Sequence, residues 1–117
     1  MKTPTLESLR EDISQFARDR DWEQFHSPKN LAIGLSVEAS EILEHFQWLS
    51  QEESGDLSNK TREAVRLELA DVFIYLIRLA DTLDVDLLEA AQEKIKLNAE
   101  RYPVEKVKGR ATKYDRL

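Results

Sequence analysis

The chain has 117 residues, of which 41% are apolar and 34% charged, with three glycines, three prolines and no cysteine. That length fits one domain and the turn chemistry is too sparse for a multi-stranded sheet, while the missing cysteine excludes disulfides, thiolate metal sites and a cysteine nucleophile. A net charge of −6 argues against a general nucleic-acid coat, which needs clustered Lys and Arg, and an acidic protein that handles phosphates needs metal cations.

The first predicted element is an amphipathic helix from about Thr5 to Arg20, with Leu6, Leu9, Ile13, Phe16 and Ala17 at three- and four-residue intervals. It gives way to an aromatic link, Trp22-Glu23-Gln24-Phe25-His26, whose rings need a pocket or a core. Ser27-Pro28 reads as an N-cap followed by proline at the first helical position, and the helix it opens runs to about Leu49. Gly34 inside that helix costs up to about 1 kcal/mol relative to alanine and points to close packing. The polar stretch Ser50 to Leu57 reads as a surface loop. Ser58 caps a third helix to about Leu83, and Asp86 with Glu89 gives a capping-box pattern for a fourth, ending near Arg101 before Pro103.

The expected architecture is all-α, with four helices in a domain over residues 1–101 and a basic tail over 102–117 carrying Lys106, Lys108, Arg110, Lys113 and Arg116. No apolar run reaches signal or membrane length, so a soluble protein is expected, with no membrane partner. A reducing cytoplasm is compatible with the absence of cysteine.

Two helices place acids where apolar residues belong. At about 100° per residue, Leu31, Leu35, Ile42 and Leu49 fall on one stripe of the second helix and Glu38 projects from its middle, with Glu41 one turn on and about 60° round. The third helix repeats this: Thr61, Ala64, Val65, Val72, Tyr75, Leu76 and Leu79 define the stripe, Glu68 sits at its centre and Asp71 follows three residues later. Four converging carboxylates demand cations or protonation. Oxygen ligands without cysteine or a histidine cluster suit Mg²⁺ or Mn²⁺ rather than zinc. Glu44, further round the second helix, is the weakest member. Such acids can also form buried ion pairs, so rotation alone leaves a metal site and an ion-pair network both open.

The residues Trp22 to Leu31, Glu38-Ala39-Ser40-Glu41, Phe46-Gln47-Trp48, Glu68 to Leu76 and Lys94 to Pro103, in that order and spacing, resemble the MazG-like all-α nucleoside triphosphate pyrophosphatases, the group that includes the dCTP pyrophosphatases. The likeness runs over nearly the whole chain to Lys113-Tyr114, although the family often has glycine between the first two glutamates, where Ala39-Ser40 stands here. It implies a dimer or tetramer that hydrolyses a nucleoside triphosphate to the monophosphate and pyrophosphate, with Glu38, Glu41, Glu68 and Asp71 holding Mg²⁺. In such chemistry water attacks the α-phosphorus and a carboxylate accepts its proton. Glu41 is the candidate base, though spacing does not separate base from ligand and all four acids can be ligands alone.

Lys94, Asn98 and Arg101 share one face of the fourth helix, and the resemblance makes Lys94 and Asn98 nucleotide contacts. Tyr75, one turn after Asp71, can pack its ring in the core while its hydroxyl reaches substrate. Trp22, Phe25, His26 and Trp48 are candidates for a stacking pocket around the base. A competing reading is a non-catalytic helical oligomerisation module whose acids pair with the basic tail. A di-iron protein is weaker still, because His45 follows Glu41 by four residues and not three.

Overall fold

The computed structural model describes residues 3–117, and among them every regular element is a helix. The chain divides into two compact units, residues up to Asp84 and Val85–Leu117. The first holds α1 (Leu6–Asp19), a 3₁₀ turn (Glu23–Phe25), α2 (Pro28–Phe46), α3 (Gln51–Ser54) and α4 (Asn59–Thr82). The second holds α5 (Leu87–Arg101), α6 (Val104–Val107) and a 3₁₀ turn (Tyr114–Arg116). No helix among the described residues is long and apolar enough to cross a membrane.

The starts of the helices are written in the sequence. Ser27, Ser58 and Asp86 each accept a hydrogen bond from the backbone N–H three residues on, at 3.1, 3.2 and 3.1 Å, so each helix has one of its orphan donors satisfied. Thr5 does the same for α1 and forms a full capping box with Ser8. The stretch expected to be a plain loop after α2 contains the single-turn helix α3, closed by a Ser50–Glu53 capping box. Its signature, serine followed three residues later by glutamate, was present, but four helical residues are too few to show an apolar period.

α1 ends in a left-handed turn. Asp21 has φ 53°, its N–H reaches the Arg18 carbonyl at 3.0 Å, and the Trp22 N–H reaches the Ala17 carbonyl at 2.9 Å. These are the paired bonds of a Schellman cap, with aspartate in the place glycine usually takes. The cap turns the chain sharply and delivers Trp22 back toward α1, where its ring meets Phe16 edge-on at 5.6 Å.

Within the first unit α2 and α4 pack along each other and α1 packs on α4. The buried apolar side chains are Ala17 from α1, Leu31 from α2, and Val65, Ile77 and Ala80 from α4. This is a thin core for a chain of 117 residues. The expected stripes are there, with Leu35, Glu38, Ile42 and Leu49 half-buried on the α2 side and Thr61, Ala64, Glu68, Val72, Tyr75 and Leu79 half-buried on the α4 side. Leu76, assigned to the same stripe, is exposed instead, being rotated about 100° from Tyr75 and pointing off the α2 contact.

At Gly34 of α2 a side chain of α4 lies tight against the helix backbone. A Cβ at that position would lie 2.3 Å from Tyr75 Cε1 and 3.0 Å from Cδ1 and Cζ, so the phenol ring lies against the glycine backbone. Gly34→Ala is therefore expected to destabilise by about 1–2 kcal/mol, because overpacking exceeds the helix-propensity gain of up to about 1 kcal/mol. In a Tyr75→Ala background the same change should stabilise, and denaturant unfolding of the four proteins reads the reversal of sign.

In the second unit the segment expected to be a basic arm is built against the end of α5. The Arg101 guanidinium lies 4.7 Å above the Tyr114 ring, and Tyr102 and Tyr114 meet edge-on at 6.0 Å. Two aromatics supply this packing, and their twelve-residue separation hides it from a periodicity argument. α5 buries none of its residues fully, and Leu88 and Ile95 stand exposed.

Candidate metal centre

Glu38 and Glu41 stand one turn apart on α2, and Glu68 faces them from α4. One carboxylate oxygen from each of the three lies within 4.8 Å of the others. Glu38 Oε2 and Glu68 Oε2 are buried and have no hydrogen-bond partner. A buried carboxylate oxygen without a donor carries a desolvation penalty with nothing to offset it, and a second acid beside it adds repulsion. Within the first unit, Arg10 pairs with Glu7 and Asp81, Arg66 with Glu63, and Arg78 with Glu23 and Asp81. None of these cations is spent on the cluster, so among the described residues of the first unit no arginine ion pair neutralises it.

The crowding appears as proton affinity. Burial raises the Glu38 pKa above its ordinary value, and the charges of Glu41, Asp71 and Glu68 raise it further. Glu68 is raised first by the adjoining Glu41 carboxylate, with which it can share a proton, then by burial and by the charges of Glu41 and Asp71, while His45 opposes the shift. The donor set is three or four hard oxygens that make no ion pair with Lys or Arg among the described residues, which fits a hard divalent ion such as Mg²⁺ or Mn²⁺.

Asp71 is exposed and lies outside the group of three. Its three-residue step from Glu68 carries it about 60° round α4, away from the α2 contact and toward the rim. It still acts on the site, since its charge raises both Glu38 and Glu68. Tyr75 is half-buried, fixed by its contact with Gly34.

The aromatic candidates part company. Trp22 is 44% exposed and meets both Phe16 and His26, the latter at 6.4 Å between ring centroids. Trp48 is 86% exposed on the turn after α2, and among the described residues no aromatic ring pairs with it. Phe25 is also exposed. Lys94 and Asn98 lie on α5 in the second unit, both exposed, with the Asn98 carbonyl accepting the Tyr102 N–H at 2.8 Å.

Arg78 is not among the residues that motif and spacing single out. It is 8% exposed, sits in the apolar run Val72 to Ala80, and donates from Nε to His26 Nδ1 at 3.2 Å and from Nη1 to Ser14 Oγ at 3.2 Å. A lone charge inside nine otherwise uncharged residues of a helix was the available signal.

Residues 33–117 match the MazG-like family. The chain is 47% identical to dCTP pyrophosphatase 1 of Mus musculus over 116 residues, covering 97% of this chain and 68% of that one. It is 43% identical to dCTP pyrophosphatase 1 of Homo sapiens, again covering 97% of this chain and 68% of the relative. The chain belongs to the MazG-like family. Its fold agrees: a crystal structure of a pyrophosphatase from Archaeoglobus fulgidus superimposes with a TM-score of 0.81 at 36% identity, covering 88% of this chain and 96% of that one. Family membership bears on the cluster directly, because the matched region contains Glu38, Glu41, Glu68 and Asp71.

Proposed function

We propose that this MazG-like protein is a nucleoside triphosphate pyrophosphohydrolase that works with Mg²⁺, or Mn²⁺ in its place, and that releases pyrophosphate and a nucleoside monophosphate. The observation that carries the proposal is the pair of buried, partnerless oxygens on Glu38 and Glu68 beside Glu41. Similarity to dCTP pyrophosphatases at 43–47% identity supports the substrate class, with dCTP or a modified nucleotide the first to try. Glu38, Glu41, Glu68 and Asp71 would hold the cation, which would neutralise the charge of the triphosphate.

Water attacks the α-phosphorus, a new P–O bond forms there, and the bond from that phosphorus to the α–β bridging oxygen breaks, so that pyrophosphate leaves with the electron pair. The proton given up by water passes to a carboxylate oxygen, for which Glu41 is the proposed base. Trp22 and His26 face one another on the link and offer an aromatic face and a polar edge to the nucleotide. Tyr75, Trp48, Lys94 and Asn98 complete the proposed substrate contacts, the lysine suited to phosphate and the asparagine to a sugar or base edge. Exposed apolar side chains on α2, α4 and α5, among them Ile33, Val37, Leu69, Phe73, Leu88 and Ile95, support assembly as a homodimer or homotetramer. The absence of cysteine suits a reducing cytoplasm.

Incubation with a panel of canonical and modified triphosphates and Mg²⁺, with products identified by mass spectrometry, tests the proposal. Monophosphate and pyrophosphate in equal amounts are expected; no product from any member of the panel overturns it.

A further inference from the structure

Arg78 is built into three parts of the first unit at once. Its Nη1 donates to Ser14 Oγ of α1 at 3.2 Å and lies 3.7 Å from Asp81 Oδ2, its Nη2 lies 3.9 Å from Glu23 Oε1 of the 3₁₀ turn, and its Nε donates to His26 Nδ1 at 3.2 Å. The network is closed behind it, because Ser14 Oγ donates to Asp81 Oδ2 at 3.0 Å and Arg10 Nη1 lies 3.6 Å from Asp81 Oδ1. A guanidinium held by two other elements has little freedom left, and its Nε–H is fixed in direction.

An arginine never accepts a hydrogen bond, so the His26 nitrogen facing Arg78 must be the unprotonated one. In the neutral ring the proton then resides on Nε2. No hydrogen bond among the described residues uses Nε2, and the ring is only half-buried, so this N–H is available to a ligand. Trp22 stands beside it with its ring edge-on to the imidazole. Protonating Nδ1 would break the bond and place a second positive charge against Arg78. Burial and Arg78 both hold the His26 pKa below its ordinary value, with Glu23 pulling the other way.

We infer that Arg78 is a positioning residue, which fixes His26 as the neutral, Nε2-protonated tautomer so that the imidazole presents a single N–H donor to an uncharged acceptor of the bound nucleotide. A neutral donor selects carbonyl or ring-nitrogen acceptors, whereas an imidazolium would favour phosphate oxygens. Arg78 itself does not touch the substrate. The inference rests on His26 being a substrate contact, as proposed above.

The tautomer is read without substrate by nitrogen-15 NMR of the histidine rings, with a His45→Gln protein used to assign the two histidines. The wild-type His26 should show one tautomer, protonated at Nε2 and unprotonated at Nδ1, across neutral pH. A ring protonated at Nδ1, or a mixture of tautomers, would overturn the inference. In Arg78→Met, checked for unchanged helicity, His26 should become a mixture with a raised pKa. KM for the triphosphate should then rise about fivefold to tenfold, the loss of roughly one hydrogen bond, with kcat changed less than about twofold. An unchanged tautomer or an unchanged KM in the folded variant would also overturn it. In a His26→Gln background Arg78→Met should add no more than about a twofold rise, since the group it positions is gone; a full further loss contradicts the inference. If Arg78→Met does not fold, the wild-type spectrum alone decides. Should the wild-type protein hydrolyse no triphosphate, the functional proposal fails, while the spectrum still decides whether Arg78 sets the tautomer.

Discussion

Glu68→Gln and Glu38→Gln are each expected to lower turnover by about 10²- to 10⁴-fold and, in the metal-free protein, to raise the melting temperature. The first effect follows from removing a charged oxygen from the site that would neutralise a triphosphate, a stabilisation worth several kcal/mol in the transition state. The second follows from the same group in its other condition. Without a cation, each of these carboxylates has a buried oxygen with no hydrogen-bond donor and is crowded by Glu41 and by the charge of Asp71. Replacing it by an amide of the same shape removes repulsion and supplies an N–H that a neighbouring carboxylate can accept. A residue serving only the fold would show stability and activity falling together. Steady-state pyrophosphate release, paired with thermal melts in a chelator, separates the cases.

The second large effect couples pH, cation and stability. Glu38 and Glu68 hold protons more tightly in the folded chain than an exposed glutamate does, so the folded state binds more protons than the unfolded one above pH 4.5. A raised carboxyl contributes stability that is fully present below the unfolded pKa and is lost as pH rises through the folded pKa. Metal-free protein should therefore melt at progressively lower temperature as pH climbs from about 4.5 toward neutrality. A divalent cation binds the ionised acids, so its effect should run the other way and grow with pH. At a free concentration about 100 times its dissociation constant, Mg²⁺ should stabilise by about 2.7 kcal/mol, a shift on the order of 10 °C for a chain of this size. The Glu68→Gln protein should lose most of the Mg²⁺ stabilisation and its own share of the pH dependence, while Glu38, raised first by burial, keeps its share. Calorimetric melts over a pH series, with and without Mg²⁺, read all of this in one set of scans.

The parts of this molecule that were legible from its sequence are those set by local geometry. Ser27, Ser58 and Asp86 declared the starts of α2, α4 and α5 because a cap is a contact across three residues. Glu38, Glu41 and Glu68 could be placed together because two apolar stripes must face each other, and an acid in the middle of each has nowhere else to go. Asp71 is placed less exactly by rotation, since 60° separates the centre of a contact from its rim, and Leu76 lies off the stripe for a similar reason. A glycine at position 34 points to close packing, but its partner Tyr75 lies on another helix and no periodicity names it.

What stayed hidden depends on contacts across long stretches of chain. The Arg78–His26 bond spans 52 residues and the Arg78–Ser14 bond 64. An arginine and an aspartate three apart on a helix read as a solvated pair until α1 and the aromatic link are laid over them. The packing of Tyr114 on Arg101 and Tyr102 was likewise invisible, and so the closing segment looked like a simple basic arm. Trp48 marks another boundary: residue type suggested a stacking pocket, whereas within this chain its ring is almost wholly exposed.

The most direct measurement is hydrolysis of a triphosphate in oxygen-18 water with Mg²⁺, the products weighed by mass spectrometry. Attack at the α-phosphorus predicts one heavy oxygen in the nucleoside monophosphate, unlabelled pyrophosphate, and label incorporation about 10²- to 10⁴-fold slower in the Glu68→Gln protein. Label in the pyrophosphate, or nucleoside diphosphate and inorganic phosphate as products, would contradict the account.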